Sequence, residues 1–183
     1  MTPPPDQLPV RLTPLVGRQH ELREVTEALS RSRLLTLTGP GGTGKTRLAL
    51  ALAGQARGRY AAVPCWVELA PVTDPALVAP AVAARLGAAE TPGRAAVDTV
   101  AAHLAGRPAL LVLDNCEHLT AAVAALAARL LTACPTLTIL ATSREILGVD
   151  GERAWPVPPL SLPAGRPAGC TRRPGGTSPR WSR

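Results

Sequence analysis

The sequence predicts an α/β domain: a parallel sheet with helices on both faces. Three observations carry this. Short apolar, β-prone runs alternate with longer stretches whose apolar residues recur at helical spacing. One such run, Leu34-Leu35-Thr36-Leu37-Thr38, passes through Gly39-Pro40-Gly41-Gly42-Thr43-Gly44-Lys45-Thr46 into the helix formers Arg47-Leu48-Ala49-Leu50-Ala51-Leu52-Ala53. A third run, Ala109-Leu110-Leu111-Val112-Leu113, is wholly apolar and ends on Asp114, as a strand covered on both faces would.

Residues 1–14 include Pro3, Pro4 and Pro5 and read as an extended arm. Leu15-Val16-Gly17-Arg18 leads into a helix from Gln19 to Ser30, with Leu22, Val25 and Leu29 on one face. The strand, glycine loop and helix come next, and Gly58 marks that helix's end. Val63–Leu69 reads as a second strand. Asp74-Pro75 is an N-cap followed by proline at the first helical position. Val78, Val82 and Leu86 form the stripe of that helix, which Pro80 should kink or delay and Gly87 should close. A further helix over 94–105 rests on Val97, Val100, Ala101 and Leu104, before Gly106. After the Asp114 strand, a helix on Val123, Leu126 and Leu130 stops before Pro135. Leu137–Thr142 is the fourth strand, Gly148 and Asp150-Gly151 make a turn, and Ala154–Val157 is a fifth strand confined to an edge by Pro156. There is no internal repeat.

Composition excludes several classes. The chain of 183 residues is 46% apolar but has no Phe and one Tyr, so its core is aliphatic and stacking platforms for bases are scarce. Five arginines (Arg166, Arg172, Arg173, Arg180, Arg183) fall in 164–183, a Gly/Pro/Arg/Ser/Thr segment without acids that reads as a disordered tail. Subtracting those five from the net +7 leaves +2 on residues 1–163, so no basic face for specific DNA binding is expected there. Any DNA binding belongs to the tail and is non-specific. Cys65, Cys116, Cys134 and Cys170 form no C-x-x-C pair and read as thiols in a reducing cytosol. No apolar run approaches the ~20 residues of a membrane span, and the N-terminus lacks the features of a signal peptide. A cytoplasmic protein without membrane contact is expected.

The glycine loop matches G-x-x-x-x-G-K-[ST] at every fixed position. Gly39, Gly41, Gly42 and Gly44 would let the backbone take positive φ and approach a ligand closely. Successive N–H groups, with the start of the following helix, would cradle an anion. Lys45 would reach the β- and γ-phosphates, and Thr46 would offer its hydroxyl to Mg2+. Asp114, at the C-terminal edge of its strand, stands where open α/β sheets bind ligands and could hold Mg2+. An ordinary strand end is the alternative. Arg144, in Thr142-Ser143-Arg144, could sense a γ-phosphate or could simply begin the next helix. Glu117 could orient an attacking water or cap a helix. His20 and His103 receive no role.

Four segments, Val16-Gly17-Arg18, the glycine loop, Leu110–Asp114 with Asn115-Cys116-Glu117-His118, and Thr142-Ser143-Arg144-Glu145, together resemble the signal-transduction ATPases with numerous domains. The likeness is to the nucleotide-binding domain of bacterial transcriptional regulators of the AfsR and LuxR-like kind, NB-ARC-like and AAA-related. It covers about residues 11–163. It implies a P-loop NTPase with strand order 5-1-4-3-2, an arm over 1–14, a nucleotide-binding domain over 15–163 and a tail over 164–183. It also implies ATP/ADP and Mg2+ as cofactors. Val16 and Arg18 would lie near adenine and ribose, Gly39 to Thr46, Thr43 included, on the phosphates, Asp114 on the metal, and Arg144 on the γ-phosphate. Many relatives carry a second acid where this chain has Asn115. The family continues into a helical lid, a winged helix and repeats, so the chain reads as a truncated or frame-shifted product whose partner domains lie elsewhere. The expected function is a nucleotide-dependent regulatory switch, which could also hydrolyse ATP slowly with Mg2+. A small P-loop metabolite kinase and a non-hydrolysing interaction module are the alternatives.

Overall fold

The computed structural model describes residues 8, 9, 15, 17–60, 64–89 and 92–159. Val16, most of the arm over 1–14, the tail over 164–183 and Cys170 fall outside them. The described elements are α1 (Gln19–Ser30), β1 (Leu34–Thr38), α2 (Lys45–Gln55), β2 (Cys65–Glu68), α3 (Val78–Leu86), α4 (Ala96–Leu104), β3 (Ala109–Asp114), α5 (Thr120–Ala133), β4 (Leu137–Thr142) and β5 (Glu152–Pro156). All strand pairs are parallel, in the order β2-β3-β4-β1-β5. Read from the other edge, this is the expected 5-1-4-3-2.

Strand alternation divides the core into two layers. Leu34, Val67, Leu111, Leu113, Ile139 and Ala141 face one side, where α3, α4 and α5 pack on them through Val82, Val100, Val123 and Leu130. Leu35, Leu37, Trp66, Leu110, Val112 and Leu140 face the other, against Val25 and Leu29 of α1 and Leu48, Ala49 and Leu52 of α2. Fully burying one such aliphatic side chain contributes about 1.5–3 kcal/mol. Cys65, Cys116 and Cys134 are buried in these layers. Loss of hydration pushes the Cys65 thiol up to about 11, and the same cause raises Cys116 and Cys134.

The local expectations have physical outcomes. Asp74 caps a 3-10 turn over Pro75–Leu77, its carboxylate accepting from Ala76 N at 2.9 Å. Regular α-helix starts only at Val78, so Pro80 sits in the first turn, where a missing N–H costs no helical bond. Pro156 lies on β5, an edge strand, opposite Thr38. No helix follows Thr142: residues 143–151 return without regular structure. At the opposite end of the sheet, Arg33 donates to the carbonyls of Leu131 (2.7 Å), Cys134 (2.6 Å) and Leu137 (3.3 Å). It thereby satisfies the C-terminus of α5 and joins it to the start of β1. No described helix is long and apolar enough to cross a membrane.

Candidate functional site

The site assembles because the sheet alternates. Asp114 shares the side-chain parity of Leu110 and Val112, and Thr142 that of Leu140, so both face α2 at the C-terminal edge of the sheet. There α2 begins, directly after the glycine loop. Thr46 Oγ1 donates to Asp114 Oδ1 at 2.9 Å, and Thr142 Oγ1 donates to the same oxygen at 2.6 Å. The Asn115 amide in turn donates to Thr142 Oγ1 at 2.9 Å. Asn115 is held at φ 69°, the one non-glycine residue with positive φ among the described residues. Such strain often marks a functional turn.

The loop reaches this point through glycine conformations. Gly39 has φ 144°, and a Cβ there would meet Val157 O at 3.2 Å. Gly44 has φ 89° and is the N-cap of α2. Gly42 is also in the positive region, but Gly41, expected with the others, is not. The chain turns at Gly39, Gly42 and Gly44 alone, and Gly41 leaves open space where a Cβ would stand. Lys45 is buried, its ammonium donating to Gly39 O (2.7 Å) and Pro40 O (3.0 Å). Thr43 Oγ1 donates to Pro40 O at 3.0 Å.

Arg18 is buried at the start of α1. Its guanidinium donates to Thr43 O (2.9 Å) and Pro158 O (2.7 Å) and pairs with Glu21 at 3.2 Å. It ties the glycine loop to the segment after β5. Arg144 and Glu117, assigned separately by sequence, face each other, with Arg144 Nε 3.3 Å from Glu117 Oε1. Arg144 is 68% exposed, whereas Glu117 Oε2 is buried with no hydrogen-bond partner among the described residues. Glu117 lies in a 3-10 turn over Cys116–His118, immediately beyond Asp114.

Burial is the largest influence on Asp114 and raises its carboxyl above the ordinary 3.8. The bonds from Thr142 and Thr46 oppose this, and the charges of Glu68 and Glu117 add to it. A buried carboxylate between two hydroxyls, with an orphaned carboxylate oxygen one turn on, is a donor set of hard oxygens. That suits Mg2+, which takes one or two carboxylates and completes its shell with phosphates and water. No group of three or more His, Cys, Asp or Glu that could hold a metal occurs among the described residues. A metal here would therefore depend on ligand oxygens as well.

Sequence reading missed three participants. Thr142 enters the sequence reading as the end of the fourth strand and as a neighbour of Arg144, without a role in the site; its signal is a hydroxyl ending an apolar strand. Glu68 lies in register with Asp114 on β2 and had the same kind of signal. Glu152, discussed below, had none, because its partners are backbone amides.

A family model described as "AAA ATPase domain" matches residues 14–140. The protein named "Putative HTH-type transcriptional regulator Rv0890c" of Mycobacterium tuberculosis is 48% identical over 134 residues, 73% of this chain and 15% of that protein. "Uncharacterized protein Rv0894" of the same organism is 47% identical over 151 residues, 82% of this chain and 38% of that protein. The chain thus spans a minor part of both relatives. Among solved structures, a signal-transduction ATPase with a tetratricopeptide repeat sensor from Pyrococcus horikoshii aligns with TM-score 0.56 at 16% identity, over 82% of this chain and 24% of that one. The Aeropyrum pernix ORC1 protein, solved in complex with DNA, aligns with TM-score 0.60 at 23% identity, over 86% and 48%. These two likenesses show the fold.

Proposed function

Given that the chain belongs to the AAA ATPase domain family, we propose that it is an ATP/ADP-binding switch domain of a bacterial transcriptional or signalling regulator. The observation that carries this is the hydrogen-bonded set Thr46–Asp114–Thr142 beside the buried Lys45, all at the C-terminal edge of the sheet. Lys45 would exchange its loop carbonyls for β- and γ-phosphate oxygens. Gly39 to Thr46, including Gly41, Gly42, Thr43 and Gly44, would surround the phosphates with backbone amides. Thr46 and Asp114 would hold Mg2+, which neutralises phosphate charge when bound. Arg18 would support the nucleotide through the loop it ties, and Val16 would lie nearby. Arg144 is the candidate γ-phosphate sensor.

Turnover in this reading is slow. The position after Asp114 holds Asn115 in place of a second acid, and Glu117, the remaining candidate to orient water, is paired with Arg144. A nucleotide-dependent contact with further domains is then the output. Titration calorimetry with ADP and ATP, with and without Mg2+, together with phosphate-release measurements, tests this. Mg2+-dependent binding of both nucleotides with slow release is expected. Rapid transfer to an added acceptor would make the protein a kinase, and no nucleotide binding would overturn the proposal.

A further inference from the structure

The connection from β4 to β5 is unusual for parallel strands. Such a crossover commonly takes ~12 or more residues and contains a helix. Here residues 143–151 pass over β1, which lies between the two strands, without any helix. Their backbone groups therefore need other partners. One side chain supplies three of them. Glu152, the first residue of β5, accepts from Leu147 N on Oε1 (2.9 Å) and from Gly148 N (2.8 Å) and Val149 N (3.3 Å) on Oε2. Its own amide donates to Val149 O at 3.0 Å. Leu147 is buried and Val149 packs against the same core layer.

The other end of the connection is fixed as well. Ser143 is fully buried and its amide donates to Leu37 O at 3.1 Å. Between the two anchors, Arg144, Glu145 and Ile146 form an exposed arch, with Ile146 56% exposed. Among the described residues Arg144 itself makes one ion pair, to Glu117 at 3.3 Å. Its position is thus set by the backbone on either side, and on the Leu147 side the polar anchor is the Glu152 carboxylate, beside the core packing of Leu147 and Val149.

We propose that Glu152 is a positioning residue for Arg144, fixing the arch from which Arg144 meets a γ-phosphate. This rests on the reading of Arg144 as the γ-phosphate sensor. Glu152 is paired in register with Leu34 on β1, the strand that leads into the glycine loop. The carboxylate therefore refers the arch to the same strand that sets the phosphates. A carboxylate accepts three amides at once, whereas a glutamine offers one acceptor oxygen and turns a donor toward the remaining N–H groups.

The test is the ratio of ATP to ADP affinity, measured by calorimetry in R144A, E152A, E152Q, E152D and the R144A/E152A double variant, with thermal unfolding of each. R144A is expected to lower the ratio roughly fivefold, a charged hydrogen bond discounted for exposure. E152A should lower it by a similar factor, with ADP affinity within about twofold of the parent, and the double variant should be no lower than R144A. E152D, which keeps the carboxylate, should recover part of the ratio. Should E152A not fold, E152Q carries the same comparison. Equal weakening of ATP and ADP in the Glu152 variants would show a structural role only and overturn the inference. A shifted ratio in R144A with an unshifted one in E152A and E152Q would overturn it alone. An unshifted ratio in R144A would overturn the sensing reading and this inference with it.

Discussion

At the N-terminal ends of the strands, Arg33 gives its guanidinium to three carbonyls around the end of α5, and nothing in that arrangement calls for a ligand. At the C-terminal ends, polar groups are buried with their needs incompletely met. Among the described residues, Lys45 bonds only to carbonyls of its own loop, Asp114 carries a raised pKa, Glu117 Oε2 has no hydrogen-bond partner, and Asn115 sits at positive φ. The first edge is arranged for stability. The second holds groups whose burial costs stability and whose natural complement is an anion with a divalent cation. The difference supports the proposed site without reference to any relative.

Substitutions that separate the two edges sharpen this. The largest effect on binding is expected for Lys45→Ala, which should abolish nucleotide binding or weaken it by at least ~1.5–3 kcal/mol, the scale of a charge-assisted hydrogen bond. Unchanged ATP affinity by calorimetry would count against the account. Arg33→Ala should cost about 1–2 kcal/mol in denaturant unfolding, from exposed helix-end carbonyls, and leave nucleotide affinity alone. A loss of affinity in the folded variant would break the separation.

Asp114→Asn should act with opposite signs on stability and function. Because the folded-state pKa is raised, the native protein holds its proton to higher pH than the unfolded chain. Stability contributed by this group is present below the ordinary value of 3.8 and is lost as pH rises through the raised one. The variant should therefore unfold at a higher temperature than the parent near neutral pH, with the gap closing on acidification. Mg2+-dependent binding should fall by more than Mg2+-free binding. In the parent, acidification should weaken Mg2+-dependent binding before ordinary carboxylates titrate. Equal losses with and without metal would remove Asp114 from the metal site. Gly39→Ala should cost about as much as Arg33→Ala, about 1–2 kcal/mol in unfolding, since L side chains rarely adopt φ 144° and Val157 O stands 3.2 Å from the new Cβ.

Much of this edge was legible in the sequence because it is written locally. The glycine loop sits between a strand and a helix, and Asp114 ends an apolar run, so both positions follow from chain order. Strand order needed the family resemblance, since an alternating β/α pattern alone admits several orders. Three features were not legible. The pairing of Arg144 with Glu117 depends on where two loops meet in space. Thr142 acquires its bond to Asp114 only once β3 and β4 are neighbours in register. Glu152 works through amides five, four and three residues before it, which no side-chain pattern records. Gly41 shows the converse limit: it stands at a variable position of the motif, and its backbone does not take the positive φ that its glycine suggested.

Ligand-linked stability tests the central claim most directly, because one measurement reads both edges. Denaturant unfolding of the parent, Arg33→Ala and Lys45→Ala is followed with and without Mg2+ and ATP. At a hundredfold excess over the dissociation constant, a ligand bound only to the native state adds about 2.7 kcal/mol. The account predicts that gain in the parent, the same gain in Arg33→Ala on a lower baseline, and little or none in Lys45→Ala. An equal gain in Lys45→Ala, or its loss in Arg33→Ala, would contradict the assignment of binding to the C-terminal edge.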